Sequence, residues 1–235
     1  VHEDGVVSRA ESWLINRVAR VPLLADRVLV QDADVPDFVI PSGSILPAVD
    51  RDPSGLGGLV DDAVDACYQH LARRIPGTTS VLYLTSDAGE GKTTIIRRLA
   101  RNVASRFKAR EIDWLLLPIP MGGRAFLRFD ELVVSALMQR YRFSYWFFEG
   151  FIELVRMGVV VPAFDGFEEM IVEESSGEAV SAVGNLVNQL DSEGSVLLAA
   201  RKAFFEYQSF RTQARLFDAI GKEDSVEFSR LAVKR

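Results

Sequence analysis

The apolar positions along this chain change period several times. Leu59, Val60, Ala63, Val64, Cys67 and Leu71 recur at three- and four-residue steps, which predicts an amphipathic helix ending before Pro76-Gly77. Val81 to Thr85 is then a short apolar run of strand type, followed by a glycine-rich stretch and a helical pattern from about Lys92 to Lys108. Further strands are expected at Trp114 to Ile119, Val159 to Phe164, Ser195 to Ala200 and Val226 to Val233. Helices are expected between them, at Phe129 to Tyr141, Tyr145 to Met157, Glu178 to Leu190 and Lys202 to Ile220. Strands alternating with helices imply an α/β fold with a mostly parallel sheet covered on both faces.

Before Gly58 the pattern is irregular. A helix is predicted at Ser8 to Val18 and a short apolar run at Arg27 to Val30, then a loop holding Pro36, Pro41, Pro47 and Pro53, whose spacing breaks regular structure. The expected organisation is therefore an N-terminal extension or linker region over residues 1–58 and a core over 59–235. The chain starts at Val1 and ends on Leu231-Ala232-Val233-Lys234-Arg235, which suits a fragment of a larger protein.

Composition narrows the function classes. A net charge of −6 provides no global attraction to nucleic acid or anionic lipid. No apolar stretch approaches the roughly 20 residues that span a bilayer, so a soluble, cytoplasmic protein without a membrane partner is expected. The single cysteine, Cys67, excludes an intramolecular disulfide, and its place on an apolar helical face predicts a buried structural thiol. His2 and His70 are isolated, without metal-ligand spacing.

The chemistry concentrates where the predicted strands end. Ser86-Asp87-Ala88-Gly89-Glu90-Gly91-Lys92-Thr93-Thr94 matches the phosphate-loop pattern except at its first position, where Ser86 replaces glycine. A loop that opens a helix points backbone amides at a phosphate, and glycines allow close approach. Lys92 would reach the β- and γ-phosphates, and Thr93 would offer its hydroxyl to magnesium. Such a metal also needs a carboxylate from a neighbouring strand, which Asp165 supplies at the end of an apolar run. Glu168 and Glu169, just beyond, are candidates to orient or deprotonate an attacking water. Arg201 directly follows the Ser195 to Ala200 strand, where a guanidinium could contact a γ-phosphate. Together these predict ATP or ADP with Mg2+ as the ligands; the Asn-Lys-x-Asp signal of guanine readers is absent.

Two other features have simpler readings. Phe143, Phe147 and Phe151 share one helical face and are expected in the core. Arg97, Arg98, Arg101, Arg106, Lys108 and Arg110 are expected on a solvated face, with an oligomer neighbour or nucleic acid as the other possible user. Arg124 and Arg128 are lesser candidates for an arginine finger toward a neighbouring subunit.

The combination resembles the NACHT-type branch of the STAND class of P-loop ATPases, relatives of the AAA+ group. The resemblance rests on Ser86 to Thr94 as Walker A, on Phe164-Asp165-Gly166-Phe167-Glu168-Glu169 as an extended acidic Walker B, and on Arg201 as a strand-end sensor. It runs from about Leu59 to Val233. The family usually has glycine where Ser86 stands and often aspartate where Glu168 stands. The resemblance implies a parallel five-stranded sheet sandwiched by helices and a nucleotide-gated switch that forms homo-oligomers through its ATPase core, within a larger protein of signalling or defence. Two alternatives stay open: a scaffold that holds nucleotide without turning it over, and an AAA+-type ATPase acting on nucleic acid.

Overall fold

The computed structural model of the chain describes residues 13–18, 20–35, 43–47, 58–122, 129–143, 146–166, 184–201 and 225–233. After one π-helical turn at Leu14–Val18 come α1 (Val21–Gln31), β1 (Gly43–Pro47), β2 (Gly58–Val60), α2 (Ala63–Ala72), β3 (Thr79–Ser86) and α3 (Lys92–Lys108). They are followed by β4 (Leu115–Pro120), α4 (Phe129–Tyr141), α5 (Phe148–Arg156), β5 (Val160–Asp165), β6 (Ser195–Arg201) and β7 (Val226–Val233). Residues 184–190 are also helical.

The strands form one seven-stranded sheet in the order β2-β1-β7-β3-β6-β5-β4. Its five central and distal strands, β7, β3, β6, β5 and β4, are mutually parallel, and β1 and β2 extend the β7 edge antiparallel. This is the α/β fold expected, a parallel five-stranded sheet with flanking helices. The chain leaves β3 through α3 and moves outward to the β4 edge, then returns strand by strand through β5 and β6 to β7. Crossovers between parallel strands are right-handed almost without exception, so the outward connection from β3 to β4 and the return from β4 to β5 lie on opposite faces of the sheet.

The central strands are apolar along nearly their whole length because both faces are covered. In α3 the buried positions Ile95, Ile96, Leu99, Ala100, Val103 and Ala104 make one stripe at helical spacing, which docks that helix on the sheet. Gly194 sets the entry to β6: it adopts φ of +76°, and a Cβ there would stand 2.5 Å from the Val155 carbonyl oxygen.

Three expectations need correction. The segment before residue 58 is not irregular throughout. Arg27 to Val30 lies within α1, whose Val21, Leu24, Ala25 and Val28 enter the common core, and Gly43–Pro47 pairs with β7 inside the region expected to be loop. Pro47 closes β1 beyond Ile45, the last β1 residue paired with β2, so its missing amide interrupts no ladder on that side. The helix expected from Leu59 starts at Ala63, because the Asp62 carboxylate accepts the amides of Val64 at 2.8 Å and Asp65 at 3.1 Å and so caps the helix there. Leu59 and Val60 belong to β2 instead. The aromatic face is likewise divided: α5 begins at Phe148, so Phe147 lies outside it, 55% exposed, while Phe151 is buried. The predicted helices at Ser8 to Val18 and Lys202 to Ile220, and the start of the one at Glu178, fall wholly or partly outside the described residues.

Cys67 is buried as expected, and burial pushes its thiol up to about 12. No helix among the described residues is long and apolar enough to cross a membrane.

The basic stretch of α3 is also more structural than its sequence suggests. Arg97 binds Asp32 and the Gln31 carbonyl, Arg101 donates to the Ala33 carbonyl, and Lys108 pairs with Asp26. Arg106 pairs with Glu111 and lies over the Tyr68 ring, 4.5 Å from its centroid. Much of the positive charge on this helix therefore clasps other parts of the same chain.

Candidate functional site

β3 ends at Ser86, whose side chain is buried in the sheet's carboxyl edge. The chain then turns through exposed Asp87, Ala88 and Gly89 and half-buried Glu90 to Gly91, the N-cap of α3. Gly89 and Gly91 hold φ of +79° and +96°, in the region that side chains with a Cβ rarely adopt. No side chain caps α3, and Gly91 contributes only its carbonyl, which accepts the Ile95 amide at 2.9 Å. The first amides of the helix, from Lys92 to Thr94, thus face outward at the positive end of a 17-residue helix. That is a donor set of the kind that receives an anion.

The loop also bonds to itself. The Lys92 ammonium donates to the Ser86 carbonyl at 3.3 Å, the Ser86 hydroxyl at 3.2 Å and the Asp87 carbonyl at 3.4 Å. The Ser86 hydroxyl in turn donates to the Asp87 carbonyl at 3.0 Å. Glu90 folds back so that its carboxylate accepts the Asp87 amide at 2.7 Å. Neither the Ser86 hydroxyl nor the Glu90 carboxylate was assigned such a bond from sequence. The only available signal for the second is an acid placed three residues after Asp87, a spacing that lets a side chain reach back across a tight turn.

Strand register brings the other candidates to the same edge. Ser86 pairs with Arg201 across β3 and β6, which sets the arginine directly beside the start of the loop. Leu84 pairs with Ala199, and Ala199 with Asp165, so Asp165 sits one strand further on, two residues back from the level of Ser86. At about 3.3 Å per residue and 4.8 Å per strand, its backbone is roughly 7 Å lower and 10 Å across. The Asp165 carbonyl accepts the Met121 amide at 2.9 Å, which extends β4 past Pro120 and fixes the end of β5. Thr93 is exposed and Thr94 half-buried on the first turn of α3. Glu168 and Glu169 lie outside the described residues, as do Arg124 and Arg128.

The topology independently selects this edge. β3 is followed along the chain by β4, three places to one side in the sheet, and its neighbour β6 is followed by β7, two places to the other, so the order of successive strands reverses between β3 and β6. Ligands of open α/β sheets bind in the crevice at such a switch point. A separate groove of about 890 Å³, lined by Tyr68, Phe107 and Trp114, includes the opposite end of α3 and contains none of these side chains. Four of its charged lining residues pair with one another, Arg74 with Asp113 and Lys108 with Asp26.

No protein-family model and no curated protein matches the chain. Among solved structures it is similar to the Aeropyrum pernix ORC1 protein in complex with DNA, at 16% identity and a TM-score of 0.42, over 88% of this chain and 49% of that one. It is also similar to DnaI, at 14% identity and a TM-score of 0.37, over 72% of this chain and 82% of that one. C. elegans PCH-2 is similar at 12% identity and a TM-score of 0.32, over 98% of this chain and 50% of that one. The chain thus spans about half the length of the ORC1 and PCH-2 structures.

Proposed function

We propose that this chain is the ATP-binding and ATP-hydrolysing switch domain of a STAND or NACHT-type signalling or defence protein, with its nucleotide state controlling homo-oligomerisation. The observation that carries the proposal is the meeting, at one switch-point crevice, of a glycine loop opening α3, a lysine within that loop, a strand-end carboxylate and a strand-end arginine. In this reading the amides of Gly89 and of Gly91 to Thr94, with the Lys92 ammonium, hold the phosphates, and Glu90 closes the turn beneath them. Ser86, Asp87 and Ala88 shape the approach from β3, and Arg201 contacts the γ-phosphate.

Thr93 and Asp165 are oxygen donors of the type that Mg2+ takes, and they would hold it. When bound, the metal neutralises phosphate charge. Glu168 or Glu169 would orient or deprotonate the attacking water. The other domains of a larger protein would supply the trigger and receive the output.

An ATPase acting on nucleic acid is the second reading. It would need a basic surface, and Arg97, Arg101, Arg106 and Lys108 are engaged within the chain. That favours the switch.

The test is phosphate release and sedimentation of the native chain in ATP and in ADP, beside Glu168→Gln and Glu169→Gln. Release lost in one of the two variants, with a larger species in ATP than in ADP, is the expected result. A native chain that binds nucleotide, releases no phosphate and keeps one size in both would replace the switch with a non-catalytic scaffold.

A further inference from the structure

The phosphate loop carries an acid among the groups proposed to receive a polyanion, and the acid is held in place. Glu90 directly precedes the N-cap of α3, is half-buried, and bonds to the Asp87 amide at 2.7 Å rather than extending into solvent. Its own amide points back to the Asp87 carbonyl at 3.4 Å, so the turn is closed from both sides. Lys92, the cation of the loop, is turned onto Ser86 and Asp87 oxygens by three contacts. The formal charge of the nine-residue loop, with Asp87 and Glu90 against Lys92, is therefore negative, and the helix terminus must overcome it before an anion gains anything.

We infer that Glu90 is a specificity-determining residue that makes this loop select the metal-bound nucleotide over the metal-free one. The inference rests on the nucleotide-binding reading above. Coulomb repulsion from a fixed carboxylate scales with the charge of the ligand. A divalent cation cancels two of the roughly four negative charges of ATP, so the carboxylate penalises the metal complex about half as much as the free nucleotide. The Ser86 hydroxyl acts in the same direction. By sharing Lys92 with two backbone carbonyls it keeps the ammonium on the loop, and a ligand must draw it away. A glycine at position 86 would leave Lys92 with the carbonyls alone.

The discriminating substitution is Glu90→Gln, which removes the charge and keeps an oxygen able to accept the Asp87 amide. ATP binding is measured by calorimetry at low and at physiological salt, with magnesium and with a chelator, on the full native chain, Glu90→Gln, Glu90→Ala and Lys92→Ala. In Glu90→Gln metal-free ATP should bind about tenfold more tightly and magnesium-ATP no more than about threefold, a difference that shrinks as salt screens the charge. Glu90→Ala, which also loses the turn bond, should show the same narrowing of metal preference even if its loop is looser. Equal tightening of both forms, no change, or weaker binding in Glu90→Gln overturns the inference while leaving nucleotide binding intact. Absence of nucleotide binding in the native chain and in both Glu90 variants removes the reading beneath it and the inference together. Binding gained only on substitution of Glu90 supports both.

Discussion

The carboxylate of Asp32, which has no solvent exposure, accepts a hydrogen bond from Arg97 Nε at 2.8 Å. Asp32 follows the last residue of α1, and Arg97 lies in the second turn of α3, so this pair ties the N-terminal segment to the helix that opens at the phosphate loop. The same oxygen accepts from Arg140 Nη2 of α4 at 2.9 Å. Arg140 Nε meets the Tyr141 hydroxyl at 3.3 Å, and that hydroxyl donates to the Pro118 carbonyl of β4 at 2.7 Å. Burial pushes the Tyr141 phenol up, which keeps it a donor. Three helices and a strand therefore share one buried polar junction.

Removing the carboxylate leaves two partly exposed guanidinium groups without their shared buried partner. Asp32→Ala should cost about 2 to 3 kcal/mol, since the charged hydrogen bonds are lost while water can still reach part of each arginine. Chemical denaturation of the two proteins measures it. A loss below about 1 kcal/mol would show that the N-terminal segment is held by its apolar contacts alone.

Two glycines should respond with opposite signs. At Gly194 a Cβ would meet a carbonyl oxygen at 2.5 Å on a backbone of positive φ, so Gly194→Ala should lose at least about 2 kcal/mol. Gly150 lies within α5 with nothing inside 4 Å of a Cβ, so Gly150→Ala should gain up to about 1 kcal/mol from helix propensity. Thermal unfolding of both variants checks the pair. Equal shifts would contradict the packing described for the β6 entry.

Acid should weaken the fold in part through His70. Burial lowers its pKa below 6.5, Glu227 opposes the shift and Arg73 adds to it; Ser80 Oγ lies 3.4 Å from Nε2. The unfolded chain then takes a proton near pH 6.5 that the folded chain refuses. This contribution is therefore lost as pH falls from 6.5 toward the lowered folded value. Denaturation midpoints at pH 7.5 and 5.5 should fall less for His70→Gln than for the native chain. The same fall in both would exclude His70 as a contributor.

Most of the parallel core was legible because its strands are continuous apolar runs and its connections have helical spacing. α3 and α4 match their expected bounds, since Gly91 starts the first and the 129–141 periodicity is uninterrupted. The N-terminal contribution was not legible. β1 and β2 are short, and their place beside β7 depends on backbone pairing that leaves no periodic signal in so few residues. The Asp32 junction joins residues 65 and 108 positions apart, and a lone acid or arginine does not announce a partner at that distance. At the site, the motif indicated Lys92 and the strand ends indicated Asp165 and Arg201. The register that sets Ser86 beside Arg201 and puts β6 between β3 and β5 came only from the fold.

The central claim is tested most directly by calorimetry of ATP and ADP with magnesium on the native chain and on Lys92→Ala. Lys92 is the one cation of the loop, and its removal is expected to abolish or greatly weaken binding while leaving the fold intact, because its present contacts are with the loop itself. Saturable binding by the native chain that is lost in Lys92→Ala is the predicted result. No binding of either nucleotide by the native chain, or equal binding by both proteins, would contradict it.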